Sequence, residues 1–382
     1  MGNYFFKKTK IPDILALLFV GILLGPVFKL IEPEGLAHFA EYFGSFALLI
    51  ILFEGGMDMA LERVVKEFGA ASFLVITSFV LSVLSIAAFL HYLYGWDMVK
   101  SLLLAAILGC TSSAIVIPII NRMSIGNEIK TTLAVESAMS DVLAVVFTVY
   151  LIEFITLKHI GIKTPFRAIA SSFSIAIVLG SAAGFLWLKI LDFLKNQKYS
   201  YMATLSAILV TYSSIEFLGG SGPIAILIFG VILGNSDDLI KLIKLKGNLP
   251  VSETIKFFHG EVTFFIRTFF FVYMGMMISP EILRVEYLLP AISIVLLIIA
   301  ARYTGTQLLG QVFHEKKEDR HIALAMLPRG LASAVLATLP ISANIKGTEH
   351  FIEYVFIVIV ATSAIMTVGV FIIEKNKKPE NI

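Results

Sequence analysis

Four ionisable residues stand inside stretches that are otherwise apolar. They are Glu54 in "LLIILFEGGMDM", Glu136 and Asp141 in "AVESAMSDVLAVV", and Arg329 in "LAMLPRGLASAV". Arg267 and Arg302 form a second tier in similar surroundings. A charged side chain at the centre of a bilayer costs several kcal/mol, so such a residue either pairs with an opposite charge or handles an ion or a proton.

Geometry separates the two carboxylates of the second stretch. At about 100° per helical residue, a spacing of five puts Glu136 and Asp141 roughly 140° apart, too far round the helix to share one proton as a dyad. Ser137 lies on the face of Asp141, while Ser140 lies with Glu136 on its other flank. Counted from Lys130, Asp141 is about 16 Å deep, close to the midplane, and Glu136 is shallower. Glu136 therefore calls for a permanent cation, and Arg329, also in the cytoplasmic half of its helix, is the expected partner in a buried ion pair. The alternative is Glu136 as a second ion or proton carrier. Asp141 has hydroxyls from Ser137, Ser140 and Thr111 within plausible reach and no cation of its own. A carboxylate among oxygens suits a hard monovalent ion such as Na⁺, and without the ion a buried carboxylate takes up a proton. One group that accepts either H⁺ or a metal ion is the minimum needed for exchange. The plainer reading is a protonated Asp that only holds helices together. Glu54 reads as an ion ligand or entrance charge, or as a residue exposed where Gly55 and Gly56 end the helix. Arg267 reads as a counter-charge to the carbonyl end of a broken helix, or as a side chain snorkelling to the interface.

These residues need a membrane-spanning frame. Of 382 residues, 58% are hydrophobic and only 15% charged, which is too apolar for a soluble domain. The net charge of +2 is dispersed between the apolar runs, so no nucleic-acid surface is expected. A single cysteine, Cys110, excludes an internal disulfide and a cysteine metal cluster. No cleavable leader is visible after Met1, and the connections are too short for a second domain, so one transmembrane domain over 1–382 is expected, with no soluble regulatory domain. Twelve runs are long enough to cross as helices: about 11–31, 36–57, 71–94, 99–120, 130–155, 166–194, 200–218, 221–235, 255–279, 286–309, 319–342 and 349–373. Lys and Arg concentrate at both termini and in alternate connections, which predicts cytoplasmic N- and C-termini.

The chain also resembles itself. "PDILALLFVGILLGP" (12–26) matches "GPIAILIFGVILGNS" (222–236), and "LLLAAILGCTSSAIVIPII" (102–120) matches "IALAMLPRGLASAVLATLP" (322–340). Both matches shift by seven spans, and an odd shift reverses direction across the membrane. The pattern predicts inverted repeats over about 11–155 and 221–373, joined by linking helices over about 166–218. Gly109-Cys110-Thr111-Ser112-Ser113 in the fourth span and Pro328-Arg329-Gly330 in the eleventh interrupt their helices at corresponding places. Two crossed broken helices at a binding site are therefore expected.

With these residues assembled, the sequence resembles the monovalent cation/proton antiporter family, nearer its sodium/proton exchanger branch. "IPDILALLFVGILLGP" looks like the family's first core helix and "LFEGGMDM" like its Phe-Glu-Gly-Gly stretch. "ESAMSD" is similar to its Glu-x-x-x-Asn-Asp motif and "PRGLASAVLA" to its Arg-Gly helix. The resemblance implies an antiporter-like fold, a homodimer and an elevator-like moving core. It implies Asp141 as the ion and proton carrier, Ser140 at the Asn position, and Glu136 with Arg329 as the structural pair. It also implies that Ser137, Thr111 and Glu54 help to bind the ion. Ser112 stands where exchangers often carry an acidic residue, and there the sequence looks more like the potassium-efflux and electrogenic branches.

The expected function is secondary transport in the cell membrane, exchanging Na⁺ (with Li⁺ as a further substrate) for H⁺, one for one and electroneutral, with no cofactor. The alternatives are a K⁺/H⁺ antiporter and a passive cation channel. The spans hold no Ser–His, paired-Asp or His-x-x-x-His arrangement, so an enzyme is not expected.

Overall fold

The computed structural model describes residues 13–30, 43–57 apart from 44, 45 and 48, 61–156, 163–194, 199–237, 239, 253–278, 282, 284–313 and 317–376. The regular elements among them are all helical. Helix α1 (Asp13–Ile22) runs into a π-helical turn over Leu23–Val27 that holds Pro26, whose missing N–H and ring break the regular ladder. Residues 49–57 form α2, and Gly55 and Gly56 lie inside it rather than ending it. Helix α3 (Leu61–Tyr94) starts well before the expected 71, because hydropathy marks where a helix enters the apolar layer and not where it begins; its apolar part is Gly69–Tyr94.

The fourth expected span is two helices, α4 (Met98–Gly109) and α5 (Ser113–Arg122), with extended backbone between them. Five long or short single helices follow: α6 (Asn127–Thr156), α7 (Lys163–Leu194), α8 (Ser200–Phe217), α9 (Gly222–Gly234) and α10 (Glu253–Met276). Next comes α11 (Val285–Val312). The eleventh span is cut into α12 (Lys317–Ala325), α13 (Leu331–Leu336) and α14 (Leu339–Ser342), with residues 326–330 unwound. Helix α15 (Phe351–Asn376) closes the described chain. Among the described residues six helical stretches are long and apolar enough to cross a membrane, the broken α4–α5 pair counted as one, and three shorter apolar stretches accompany them, as expected of a multi-pass membrane protein.

The chain groups into two compact units, one of residues 1–42, 66–152 and 267–382, the other of 43–65 and 153–266. Each draws on both halves of the sequence, so the grouping cuts across the expected repeats. The second unit has its own core, in which Phe53, Phe229, Ile208 and Leu233 are buried together.

Glycines set the closest helix approaches, and they do so twice in the same pattern. In the first unit a Cβ on Gly21 would overlap the carbonyl oxygen of Val272, one on Gly25 would meet Met276, and one on Gly275 would overlap the carbonyl oxygen of Leu18. In the second unit Gly230 meets Phe53, Gly234 meets Met57 and Gly56 meets Leu227 in the same way. Each α1 position corresponds to the α9 position 209 residues later, and each α2 position to the α10 position 219 residues later. The contact between α1 and α10 is thus made again between α9 and α2. The register is one residue shorter than the ungapped match of 12–26 with 222–236 suggests, because the backbone contacts, not the apolar residues, fix it.

Replacing Gly21 or Gly230 by Ala should lower the melting temperature in detergent, since overpacking a backbone contact costs roughly 1–3 kcal/mol. Gly55→Ala is the control: nothing lies within 4 Å of its Cβ, so it should melt at or above the wild-type temperature.

Candidate ion-binding site

Breaking two helices inside the apolar layer leaves backbone donors and acceptors that water cannot reach. The first unit satisfies them with each other and with a few side chains. Ser112 N–H donates to the Pro328 carbonyl at 2.8 Å, which ties one break to the other. At the carbonyl end of α4, Ser333 Oγ donates to Ile107 O at 2.8 Å and Arg329 Nε donates to Leu108 O at 2.9 Å. Arg329 Nη1 also donates to Leu327 O at 2.7 Å, and its backbone N–H is bonded to Thr362 Oγ1 at 3.1 Å. Gly330 passes against the side chain of Ser112 so closely that a Cβ there would collide with it.

The donor end of α5 faces Asp141. Ser113 gives both its N–H, at 3.0 Å, and its hydroxyl, at 2.7 Å, to Asp141 Oδ2. A carboxylate at the start of a helix also meets the positive end of its dipole. Asp141 Oδ1 is buried and accepts no hydrogen bond. The carboxylate thus has one oxygen held in place and one open to a cation or a proton.

Ser140 does a different job. Its hydroxyl accepts from Thr111 N–H at 3.0 Å and lies 3.1 Å from Thr111 O and 3.0 Å from Ser137 O, bracing the unwound strand against α6. Ser137 Oγ bonds back to Ala134 O at 3.1 Å within its own helix turn. Thr111, Ser137 and Ser140 are all buried beside the break, as the sequence placed them, but the hydroxyl that grips Asp141 is that of Ser113. Sequence reasoning missed Ser113. The run of hydroxyls in "GCTSSA" was the available signal; which of them faces the aspartate depends on where the helix restarts.

The expected Glu136–Arg329 ion pair is not what forms. Glu136 is held by Arg302 in a two-pronged pair, with Nη1 to Oε1 at 2.7 Å and Nη2 to Oε2 at 3.2 Å, and side-chain exposures of 3% and 1%. Arg302 Nε donates further to Ala323 O at 2.9 Å. Arg302 lies about 15 Å from the end of α11 and Glu136 about 14 Å from the start of α6, so the two meet at one depth. Arg329 is drawn instead to the carbonyls that the broken helices expose, the task the sequence offered to Arg267. Arg267 falls in α10 of the first unit, and its side chain lies outside the described residues. Glu54 is half-buried in α2 and belongs to the second unit.

Arg302→Ala should destabilise the protein by about 3–5 kcal/mol, because it leaves Glu136 charged and buried. Arg302→Ala with Glu136→Gln should recover part of the loss in thermal melts. Equal melting of Arg302→Ala and wild type would remove the pair from the fold's support.

The sodium/hydrogen exchanger transmembrane family profile matches residues 1–375. The chain is 28% identical over 347 residues to a probable Na⁺/H⁺ antiporter 2 of Methanocaldococcus jannaschii, covering 87% of this chain and 79% of that protein. It is 30% identical over 359 residues to Na⁺/H⁺ antiporter 1 of the same organism, covering 87% and 78%. It is also 28% identical to the K⁺/H⁺ antiporter NhaP2 of Shewanella oneidensis, over 93% of this chain but only 61% of that longer protein. The solved structure of the sodium proton antiporter MjNhaP1 from M. jannaschii at pH 8 superposes with a TM-score of 0.82 at 23% identity, covering 98% of this chain and 94% of that one, and so shares its fold. A broken-helix crossing with a buried aspartate, in a chain matched over nearly its whole length, makes this protein a member of the sodium/hydrogen exchanger transmembrane family.

Proposed function

We propose that the protein exchanges Na⁺ for H⁺ across the cell membrane, one for one, by alternating access at Asp141, and that it works as a homodimer with both termini in the cytoplasm. The observation that carries this reading is the half-engaged carboxylate: Oδ2 fixed by two donors of Ser113, Oδ1 buried and unbonded. A group so held takes a metal ion when ionised and a proton when the ion leaves. Thr111 and the neighbouring serines offer the further oxygens a hard monovalent ion needs. K⁺ is the second reading, favoured by the K⁺/H⁺ antiporters among the relatives.

The charges support electroneutrality. Asp141, Glu136, Arg302 and Arg329 sum to zero when all are ionised. Glu136 is paired with Arg302, so the site carries the same net charge with H⁺ on Asp141 as with Na⁺ beside it. Both loaded forms then cross the membrane's field alike.

Asp141→Asn should abolish exchange with folding intact, because an amide neither releases a proton nor neutralises the ion. The measurement is dissipation of a pH gradient in proteoliposomes on adding Na⁺, Li⁺ or K⁺, alongside a melting curve. Ion-dependent proton flux in the folded variant would exclude Asp141 as the carrier, and Na⁺ leak without proton movement would indicate a channel.

Proton and Na⁺ compete for one carboxylate, and only its ionised form takes the metal. Lowering the pH should therefore raise the half-saturating Na⁺ concentration and leave the rate at saturating Na⁺ little changed on the acid side. An imposed membrane potential should leave the rate unaltered. Exchange driven by potential alone would show a second moving charge.

A further inference from the structure

One peptide unit, the one that joins Pro328 to Arg329, is bonded at both of its ends. Its carbonyl accepts the N–H of Ser112, in the other break, at 2.8 Å. Its N–H donates to Thr362 Oγ1 at 3.1 Å. A trans peptide is a rigid plane with its C=O and N–H pointing in opposite directions, so holding one end aims the other. Thr362 stands midway along α15 and is fully buried. Its own proton goes back to its helix, to Val358 O at 2.7 Å, which leaves its lone pairs for the Arg329 N–H. The first break is tied in the same manner. Ser140, on the unbroken helix after α4 and α5, accepts Thr111 N–H at 3.0 Å; Thr362 lies on the unbroken helix after α12 to α14. The peptide that Thr362 holds has a further consequence for the ion site. Ser112, bonded to its carbonyl, is followed by Ser113, which opens α5 and gives both of its donors to Asp141 Oδ2.

We propose that Thr362 is a positioning residue for ion binding, a role that rests on the reading of Asp141 as the carrier. It orients the Pro328–Arg329 peptide, the peptide fixes Ser112, and Ser112 sets where Ser113 meets Asp141. Thr362 acts through the backbone and is not itself an ion ligand. Without its hydroxyl, the Arg329 N–H is left buried with no acceptor, a penalty that rotation of the peptide relieves. Rotation withdraws the Pro328 carbonyl from Ser112 and loosens the start of α5. Asp141 then loses the fixed placement of its two donors, and the ion binds less tightly. The movement of the loaded carrier does not depend on that bond, so turnover at saturating Na⁺ is kept. A hydroxyl that only filled space or satisfied a stray N–H would affect stability and leave the sodium dependence alone.

The test compares purified, reconstituted wild type with Thr362→Val, Thr362→Ser and Ser363→Ala. Valine keeps the shape without the hydroxyl, and serine keeps the hydroxyl. Ser363 is the control, the next residue on α15, equally buried and with a hydroxyl that makes no hydrogen bond. In Na⁺-driven dissipation of a pH gradient, Thr362→Val should raise the half-saturating Na⁺ concentration roughly fivefold, matching the net contribution of one hydrogen bond, with the saturated rate kept. Thr362→Ser and Ser363→Ala should stay at the wild-type value. Amide deuterium uptake, which needs no transport, should rise at the start of α5 in Thr362→Val and not in the other two. Where valine prevents folding, Thr362→Cys offers a weaker acceptor, and the same changes are expected in smaller measure. An unchanged half-saturating concentration in the folded variant, a shift shared by Ser363→Ala, or no rescue by serine would overturn the proposal. If wild type dissipates no gradient while uptake at α5 still depends on Thr362, the backbone relay stands, and the exchange reading falls together with the role of Thr362 in ion binding.

Discussion

Everything at this site follows from the cost of interrupting two helices where water cannot reach them. Each break exposes carbonyls on one side and N–H groups on the other, and every one left unpaired in an apolar layer costs several kcal/mol. The structure meets that demand with opposite charges at opposite ends. Arg329 and Ser333 take the carbonyls at the end of α4, and Asp141 takes the N–H that opens α5. The proposed carrier carboxylate is therefore first a helix-capping group. Because one of its oxygens is enough for the cap, the other carries no hydrogen bond, and that is the oxygen on which the proposed exchange turns.

The pairing of the remaining charges follows from the same demand. Arg329 turns its Nε and Nη1 to the carbonyls of Leu108 and Leu327, and a different arginine reaches Glu136. Arg302, on α11, fills that role with a planar two-pronged contact that fits guanidinium to carboxylate. Glu136 is thereby committed to an ion pair, and Asp141 on the same helix is left without an arginine, as its proposed role requires. Two carboxylates five residues apart on one helix acquire different tasks because one faces an arginine and the other a helix terminus.

Within each unit, helix packing depends on small residues. Gly21, Gly25 and Gly275 in one unit, and Gly230, Gly234 and Gly56 in the other, let backbones approach to distances that any side chain would prevent. Lipid gives helices no hydrophobic reason to associate, so close backbone contact and its dispersion energy carry more of the burden than in a soluble core. The same contact occurs in both halves of the chain at matching positions, as duplicated ancestral units would produce.

The sequence by itself determined the frame. Apolar runs of membrane-crossing length located the helices, because the bilayer's thickness sets that length whatever the neighbours are. Gly109 to Ser113 and Pro328 to Gly330 located the two breaks, because glycine, proline and hydroxyl side chains act on the backbone locally. The depth of Asp141 and its angular separation from Glu136 were legible for the same reason, being properties of a single helix. The start of α3 was not, since a helix extends beyond its apolar part without a change in hydropathy to mark it. Partnership was decided only in three dimensions. Arg302 lies on α11 and Arg329 in the unwound stretch between α12 and α13, and nothing local to either tells which will reach Glu136. Ser112, Ser113 and Ser140 are equally polar and equally close to the break, yet one binds the opposing strand, one grips Asp141 and one braces Thr111. Hydrogen bonds are short and directional, so the assignment turns on an ångström and on the residue at which α5 restarts, quantities that exist only once the two broken helices cross.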